Sequence, residues 1–123
     1  GADGTDEITT TGPTYVVALD NGEITEFEVS PEQAGLPLAT LEDLRGGAAE
    51  ENAAALNALL QGATGAYRDV VLFNAAAALM IAEKAADLPT GVAIAAKAID
   101  EGLALEKLHR LVEISNRTVA ASE

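Results

Sequence analysis

The sequence predicts a β-hairpin followed by three or four helices. Residues 14–19 (TYVVAL) form a β-prone apolar run, the Asn-Gly pair after them favours a tight turn, and apolar residues recur at helical spacing from residue 49 onwards. Apolar residues make up 49% of the 123 residues, which is enough to form a buried core. We divide the chain into a loop at residues 1–13, a hairpin at residues 14–29 and a helical segment at residues 40–118.

The hairpin prediction depends on the turn between two β-prone runs. Asn-Gly accepts the positive φ angles of a type I′ turn, so residues 14–19 should pair with residues 23–29 (EITEFEV). The continuous apolar character of the first run predicts a strand that is buried on both faces. The second run alternates, and it places Glu26 and Glu28 on a face that should meet solvent.

Helical spacing of apolar residues predicts the helices. The first should end near Gly62, and the second should cover residues 67–86, apolar nearly all round as in a helix surrounded by others. The third should cover residues 90–101, with Thr90 as its N-cap. The apolar stripe of the last helix comprises Leu105, Leu108, Leu111 and Val112. The final residues, TVAASE, are predicted to fray.

Charge and composition argue against several classes of function. Twenty acidic and seven basic residues give a net charge of −13, which repels phosphate backbones, so we expect no nucleic-acid binding. The longest uncharged apolar run has 13 residues, whereas a membrane span needs about 20, so we expect no membrane partner. The lack of cysteine fits a reducing compartment, and we expect a cytoplasmic location. Because Gly1 lies inside a Gly- and Asp-rich turn, we interpret it as a cut end of a longer protein.

Asp6 and Glu7 are the candidate metal ligands. A loop can bring adjacent carboxylates together, whereas a strand would point them to opposite faces. Magnesium prefers one or two carboxylates combined with phosphate and water oxygens. On spacing alone, a pair of solvated acidic residues is the commoner explanation, and Asp3 close by does not change that balance.

Other polar residues are given structural roles. Gly46-Gly47 precedes a helix and could present N–H groups to an anion, but three acidic residues lie nearby, so we predict a turn. Asn52 and Asn74 lie in apolar surroundings, and we predict that each is buried and ties a neighbouring backbone in place. His109 is the only histidine and should face solvent; without cysteine or a second histidine, zinc sites and Cys–His catalysis are excluded within this chain.

Taken in order, the motifs resemble those of the anthranilate phosphoribosyltransferase family. Residues 1–7 (GADGTDE) resemble the family's G-x-D-G-L-D-E segment, and Gly-Pro-Thr follows at residues 12–14. Residues 45–53 (RGGAAEENA) resemble its R-G-G-x-A-x-E-N-A signature. Residues 68–79 (RDVVLFNAAAAL) resemble its R-D-x-x-L-x-N-A-A-x-x-L helix. The resemblance covers nearly all of the chain up to Asn116.

The resemblance implies an α/β fold for the parent enzyme, in a nucleoside-phosphorylase/phosphoribosyltransferase-like α/β/α domain of which this chain is the C-terminal part. Such enzymes transfer phosphoribosyl from phosphoribosyl pyrophosphate (PRPP) to anthranilate in tryptophan biosynthesis. The resemblance assigns Mg²⁺ to Asp6 and Glu7, and it assigns no other catalytic or cofactor-binding residue to this chain. Thr5 replaces the family's usual Leu, which bears on loop packing, and Ala48 stands where many relatives have Asp.

The resemblance also implies partners. The PRPP-binding loop, the anthranilate-contacting arginine and the dimerisation domain of the family would lie in a missing N-terminal part of the same protein, and the parent would be a homodimer. We therefore expect an enzymatic parent and an inactive isolated chain. A second interpretation is a non-catalytic acidic helical module that binds a protein partner. A third is a non-biosynthetic relative of the same fold, including nucleic-acid-binding ones, which the charge opposes.

Overall fold

The computed structural model describes residues 1–119, so most of the tail predicted to fray, residues 120–123, lies outside the described part. The elements are, in order, the strands β1 (Thr14–Asp20) and β2 (Glu23–Val29), two short 3₁₀ helices (Pro31–Ala34 and Glu42–Leu44), and the helices α1 (Ala49–Leu60), α2 (Ala66–Ile81), α3 (Leu88–Asp100) and α4 (Leu103–Ser115). The prediction of a hairpin followed by helices is confirmed. Within residues 1–119, no helix is both long enough and apolar enough to cross a membrane.

The hairpin has the predicted turn but not the predicted burial. β1 and β2 pair antiparallel, and Asn21 (φ 50°) and Gly22 (φ 81°) both adopt the positive φ angles of a type I′ turn. Tyr15, Val17 and Leu19 share one face of β1 and are 68–73% exposed, so the prediction of a strand buried on both faces is wrong. The reason is that, within residues 1–119, the extensive contacts of the hairpin are those between its own two strands.

α2 and α3 pack closely and form the centre of the helical segment. Gly91 of α3 lies so near α2 that an added Cβ would stand 2.8 Å from the Cα of Ala76. On one side of this pair is an apolar cluster of Leu59, Leu72, Ala95 and Ile99. On the other side, fully buried Phe73 packs with Ala34 and Leu36, and this second cluster also receives Ile8 and Val29. It therefore joins the N-terminal loop and the hairpin to the helices.

Two helix boundaries differ from the prediction. α2 ends at Ile81 rather than at residue 86, because the chain turns out of the helix at Glu83, whose φ of 59° is left-handed. α3 begins at Leu88, since Asp87 is the N-cap and its carboxylate accepts a hydrogen bond of 2.8 Å from the backbone N–H of Thr90. Thr90 is therefore inside the helix and is not the N-cap.

Exposed apolar residues also occur on α2 and α4. α2 is not enclosed as predicted: Ile81, at its C-terminal end, is 88% exposed. In α4, Leu111 and Val112 of the predicted apolar stripe are 63% and 52% exposed. His109 is exposed, as predicted. The described helices thus cover the α2–α3 pair better than they cover α4.

Candidate metal site in the N-terminal loop

The loop at residues 1–13 is organised around the carboxylate of Asp3. Its Oδ1 accepts hydrogen bonds from the backbone N–H and the Oγ1 of Thr5, at 3.0 and 2.7 Å. Its Oδ2 accepts from the hydroxyls of Thr11 and Thr9, both at 2.7 Å. These bonds, those from Thr11 and Thr9 foremost, hold the pKa of Asp3 well below its usual range. The carboxylate of Asp3 therefore stabilises the fold of the loop.

Thr5 departs from the family pattern in a way that adds to this network. Its hydroxyl donates to Asp3, which a leucine side chain could not do. The loop is closed further by a backbone hydrogen bond of 2.9 Å from the N–H of Ala2 to the carbonyl of Pro13. The substitution therefore contributes a hydrogen bond next to the Asp6–Glu7 pair.

A second anchor comes from α2, through Asn74. The Oδ1 of Asn74 accepts from the backbone N–H of Ile8 at 3.0 Å, and its Nδ2 donates to the carbonyl of Ile8 at 2.8 Å. The same Nδ2 donates to the carbonyl of Val70, one turn earlier in α2, at 2.9 Å. The prediction that Asn74 ties a neighbouring backbone in place is confirmed, and its partner is the residue directly after Glu7.

Asp6 and Glu7 lie between these two anchors, and both are exposed. The two carboxyl groups are neighbours: a hydrogen bond with Asp6, followed by some loss of hydration and the negative charges of Asp6 and Asp3, raises the pKa of Glu7. A cation that binds both carboxylates would relieve this repulsion. The pair thus offers a divalent cation two hard oxygen donors that face solvent.

The donor set fits a magnesium ion that takes further ligands from outside the chain. Within residues 1–119, no group of three or more His, Cys, Asp or Glu side chains is arranged to hold a metal. A six-coordinate Mg²⁺ held by Asp6 and Glu7 would therefore complete its shell with water or phosphate oxygens, which is its usual preference. The arrangement fits a metal shared with a phosphorylated substrate better than it fits a structural ion.

The glycine pair before α1 has the structural role predicted for it. The Oδ1 of Asn52 accepts from the N–H of Gly47 at 2.8 Å, and its Nδ2 donates to the carbonyl of Gly47 at 3.0 Å. A Cβ at Gly47 would overlap the carboxylate of Glu51, which accepts from the N–H of Ala48. Asn52 ties this turn as predicted, but it is exposed, so its predicted burial is wrong. Ala48, the N-cap of α1, has no side-chain oxygen that could accept a hydrogen bond from the first turn of the helix.

Sequence reasoning missed the part that threonine plays in this site. Thr9 and Thr11 bind the Asp3 carboxylate, and the buried N–H of Thr9 donates to the hydroxyl of Thr14 at 3.0 Å. The signal available in the sequence was the run of three threonines shortly after an aspartate in a glycine-containing loop, which favours side-chain to backbone bonding.

Comparisons with known proteins are consistent with this geometry. Residues 1–105 match the sequence profile of a family described as "Glycosyl transferase family, a/b domain". An anthranilate phosphoribosyltransferase of Methylocella silvestris is 58% identical over 117 residues, which are 95% of this chain and 34% of that protein.

Solved structures give the same result. The chain is similar to anthranilate phosphoribosyltransferase from Thermus thermophilus, with a TM-score of 0.81 and 38% identity, over 90% of this chain and 33% of that one. It is also similar to anthranilate phosphoribosyltransferase from Saccharomyces cerevisiae in complex with PRPP and Mg, with a TM-score of 0.84 and 25% identity, over 92% of this chain and 33% of that one. The chain therefore spans about a third of the length of the relatives that it matches.

Proposed function

The chain belongs to the a/b-domain family of glycosyl transferases, and from this we propose that it is the C-terminal part of a magnesium-dependent anthranilate phosphoribosyltransferase. The whole enzyme would transfer phosphoribosyl from PRPP to the amine of anthranilate. The 58% identity to the Methylocella silvestris enzyme supports this substrate pair. The solved yeast relative in complex with PRPP and Mg supports the choice of metal.

The observation that carries the proposal is the exposed Asp6–Glu7 pair on an anchored loop. In our proposal the two carboxylates bind Mg²⁺, while Asp3 and its threonine partners keep the loop in shape. When bound, the metal would neutralise negative charge that accumulates on the departing pyrophosphate. The chain's own contribution is to hold two oxygen donors at fixed positions, which lowers the reorganisation needed when the substrate arrives.

The proposal assigns the remaining groups to a longer polypeptide. PRPP-binding and anthranilate-binding residues would come from the N-terminal part, and the whole enzyme would be a cytoplasmic homodimer. One exposed face of the hairpin carries Tyr15, Val17, Leu19 and Ile24, together with Glu26 and Glu28 on the facing strand. Its four exposed apolar side chains support additional polypeptide next to the hairpin, because such groups are usually covered in stable proteins.

A chimera tests the proposal. In it, this chain replaces the matching 117-residue segment of the Methylocella silvestris enzyme, and product formation is measured with anthranilate, PRPP and Mg²⁺. We expect an active, magnesium-dependent chimera and no product above background from the 123-residue chain alone. A folded chimera without activity would contradict the proposed function, and product formed by the isolated chain would contradict the division of the active site between two parts.

The non-catalytic interpretation makes the opposite prediction for metal. If the chain were an acidic module for a protein partner, Mg²⁺ would leave its solution properties unchanged. The same exposed apolar residues would then drive self-association, which analytical ultracentrifugation with and without Mg²⁺ measures. Magnesium-indifferent self-association together with an inactive chimera would favour this second interpretation.

A further inference from the structure

We propose that Asn74 positions the Asp6–Glu7 pair and so sets the metal affinity of the loop. The inference rests on the proposed function, because that function makes the pair a magnesium site. Asn74 touches neither carboxylate in the structure. It acts through Ile8, the residue that follows Glu7, and is therefore a positioning residue.

The hydrogen bonds of Asn74 are specific to this role. A side-chain amide in a helix can bind a carbonyl one turn earlier, and the bond from Nδ2 to Val70 is of that kind. The two further bonds join positions 66 residues apart and satisfy both the N–H and the carbonyl of Ile8. Together they fix the position and the orientation of the peptide groups on either side of Ile8, and so restrict where the Glu7 backbone can lie.

Packing makes this anchor rigid. Asn74 follows Phe73, which is fully buried against Ala34 and Leu36, so its backbone belongs to the best-packed part of α2. The side chain of Ile8 joins the same cluster. The loop is thus held at its start by Asp3 and after the acidic pair by Asn74, which leaves Asp6 and Glu7 as the exposed segment between two fixed points.

Fixing the backbone affects metal binding through preorganisation. Two adjacent carboxylates repel each other, and in a free loop they would move apart until a cation arrives. When the loop is held, folding already keeps the two carboxylates close together. Less of the free energy of metal binding is then spent on bringing them together. Groups that orient metal ligands typically change metal affinity by roughly 10- to 100-fold when removed.

Asn74→Ser is the sharpest test, because a serine hydroxyl can still bind the carbonyl of Val70 but is too short to bridge to Ile8. The probe is Mn²⁺, titrated into the ¹⁵N-labelled 123-residue chain, with broadening of the amide signals of Asp6 and Glu7 as the readout. We expect the apparent Kd for Mn²⁺ at these signals to rise on the order of 10-fold. The protection of the Ile8 amide against hydrogen exchange should fall in the same variant.

Three further variants separate positioning from other effects. Asn57→Ser is the matched control, since the one bond that the Nδ2 of Asn57 donates among the described residues goes to the carbonyl of Ala53 one turn earlier, at 2.9 Å. Leu79→Ala is the stability control, because Leu79 packs against the other apolar cluster, away from the loop. Both should keep the wild-type Kd. Asn74→Gln retains the amide on a longer side chain and should bind Mn²⁺ with intermediate affinity.

The outcomes distinguish this inference from the proposed function. If Asp6→Asn with Glu7→Gln leaves the Mn²⁺ effect unchanged, the proposed metal pair itself is wrong. If that double variant loses the effect while Asn74→Ser keeps the wild-type Kd, only the positioning role is wrong. A rise in Kd for Leu79→Ala equal to that for Asn74→Ser would also overturn it. If Asn74→Ser does not fold, Asn74→Gln provides the test. A wild-type Kd for Mn²⁺ in that variant, together with lost hydrogen-exchange protection of the Ile8 amide, would contradict the inference.

Discussion

The N-terminal loop and the β-hairpin differ in how their order arises. The loop, residues 1–13, has no regular secondary structure, yet side chains from two directions fix it: Asp3 with its threonines, and Asn74 from α2. The hairpin has a complete ladder of strand pairing, yet one of its faces is largely exposed. A segment can therefore have regular secondary structure without being well packed, and it can be firmly held without regular secondary structure. In this chain the irregular, firmly held loop carries the candidate metal ligands.

The largest effect should come from removing the packing that supports the loop. Phe73→Ala empties a fully buried site beneath Ile8 and should lower the free energy of unfolding by about 3 to 5 kcal/mol. Phe27→Ala on the hairpin is the matched substitution, and it should have a much smaller effect because Phe27 is 46% exposed. Urea denaturation of both variants measures the difference; equal losses would show that the hairpin is packed as tightly as the loop support.

The next effect concerns chemistry. Asp6→Asn with Glu7→Gln in the chimera should lower turnover roughly 100- to 1,000-fold and raise the magnesium requirement, since preorganised charge stabilisation is lost. Asp20→Asn with Glu23→Gln, a facing pair at the end of the hairpin, makes the same change in charge and should leave both properties unchanged. Steady-state rates over a range of Mg²⁺ concentrations test this, and an unchanged requirement in the first variant would refute the ligand assignment.

The smallest expected effect is on the free energy of unfolding, and it depends on pH. Because the pKa of Asp3 is lower in the folded loop than in the unfolded chain, its ionised form stabilises folding above about pH 3.9, and this contribution fades as the pH falls below that value. Asp3→Asn should therefore destabilise the chain at pH 7 by about 1 to 2 kcal/mol, a figure reduced for partial exposure to water. The difference from wild type should shrink at pH 3.

The matched control for this pH effect is Asp20→Asn on the hairpin. Thermal unfolding of wild type and both variants at pH 7 and pH 3 provides the measurement. If Asp3→Asn destabilised the chain equally at both pH values, the ionised carboxylate would not be what holds the loop together.

The features that the sequence predicted correctly depend on residues that are close together in the chain. Asn21-Gly22 determines its turn through its own φ angles, so the hairpin and its register could be predicted. The start of α3 was missed although a local signal existed: proline favours the first turn of a helix, so Pro89 pointed to Asp87 as the cap. The end of α2 was missed because an alanine-rich helix gives little periodicity to mark where it stops.

Long-range partners could not be predicted in the same way. The sequence indicates that the amide of Asn74 needs partners, but it does not indicate that they lie 66 residues away on Ile8. Exposure was misjudged for the same reason: Asn52 and the apolar face of β1 lie where the described chain does not cover them. The Asp6–Glu7 pair was found through its resemblance to a family motif, and its anchoring became visible only in three dimensions.

Diffraction from crystals of the chimera grown with PRPP and Mn²⁺ tests the central claim most directly. The anomalous signal of Mn²⁺ locates the metal independently of the protein. We predict a peak about 2.0 to 2.3 Å from carboxylate oxygens of Asp6, Glu7 or both, with phosphate or water oxygens completing the shell. A peak on bound PRPP with both carboxylates outside coordination distance would contradict the claim that this loop is the metal site.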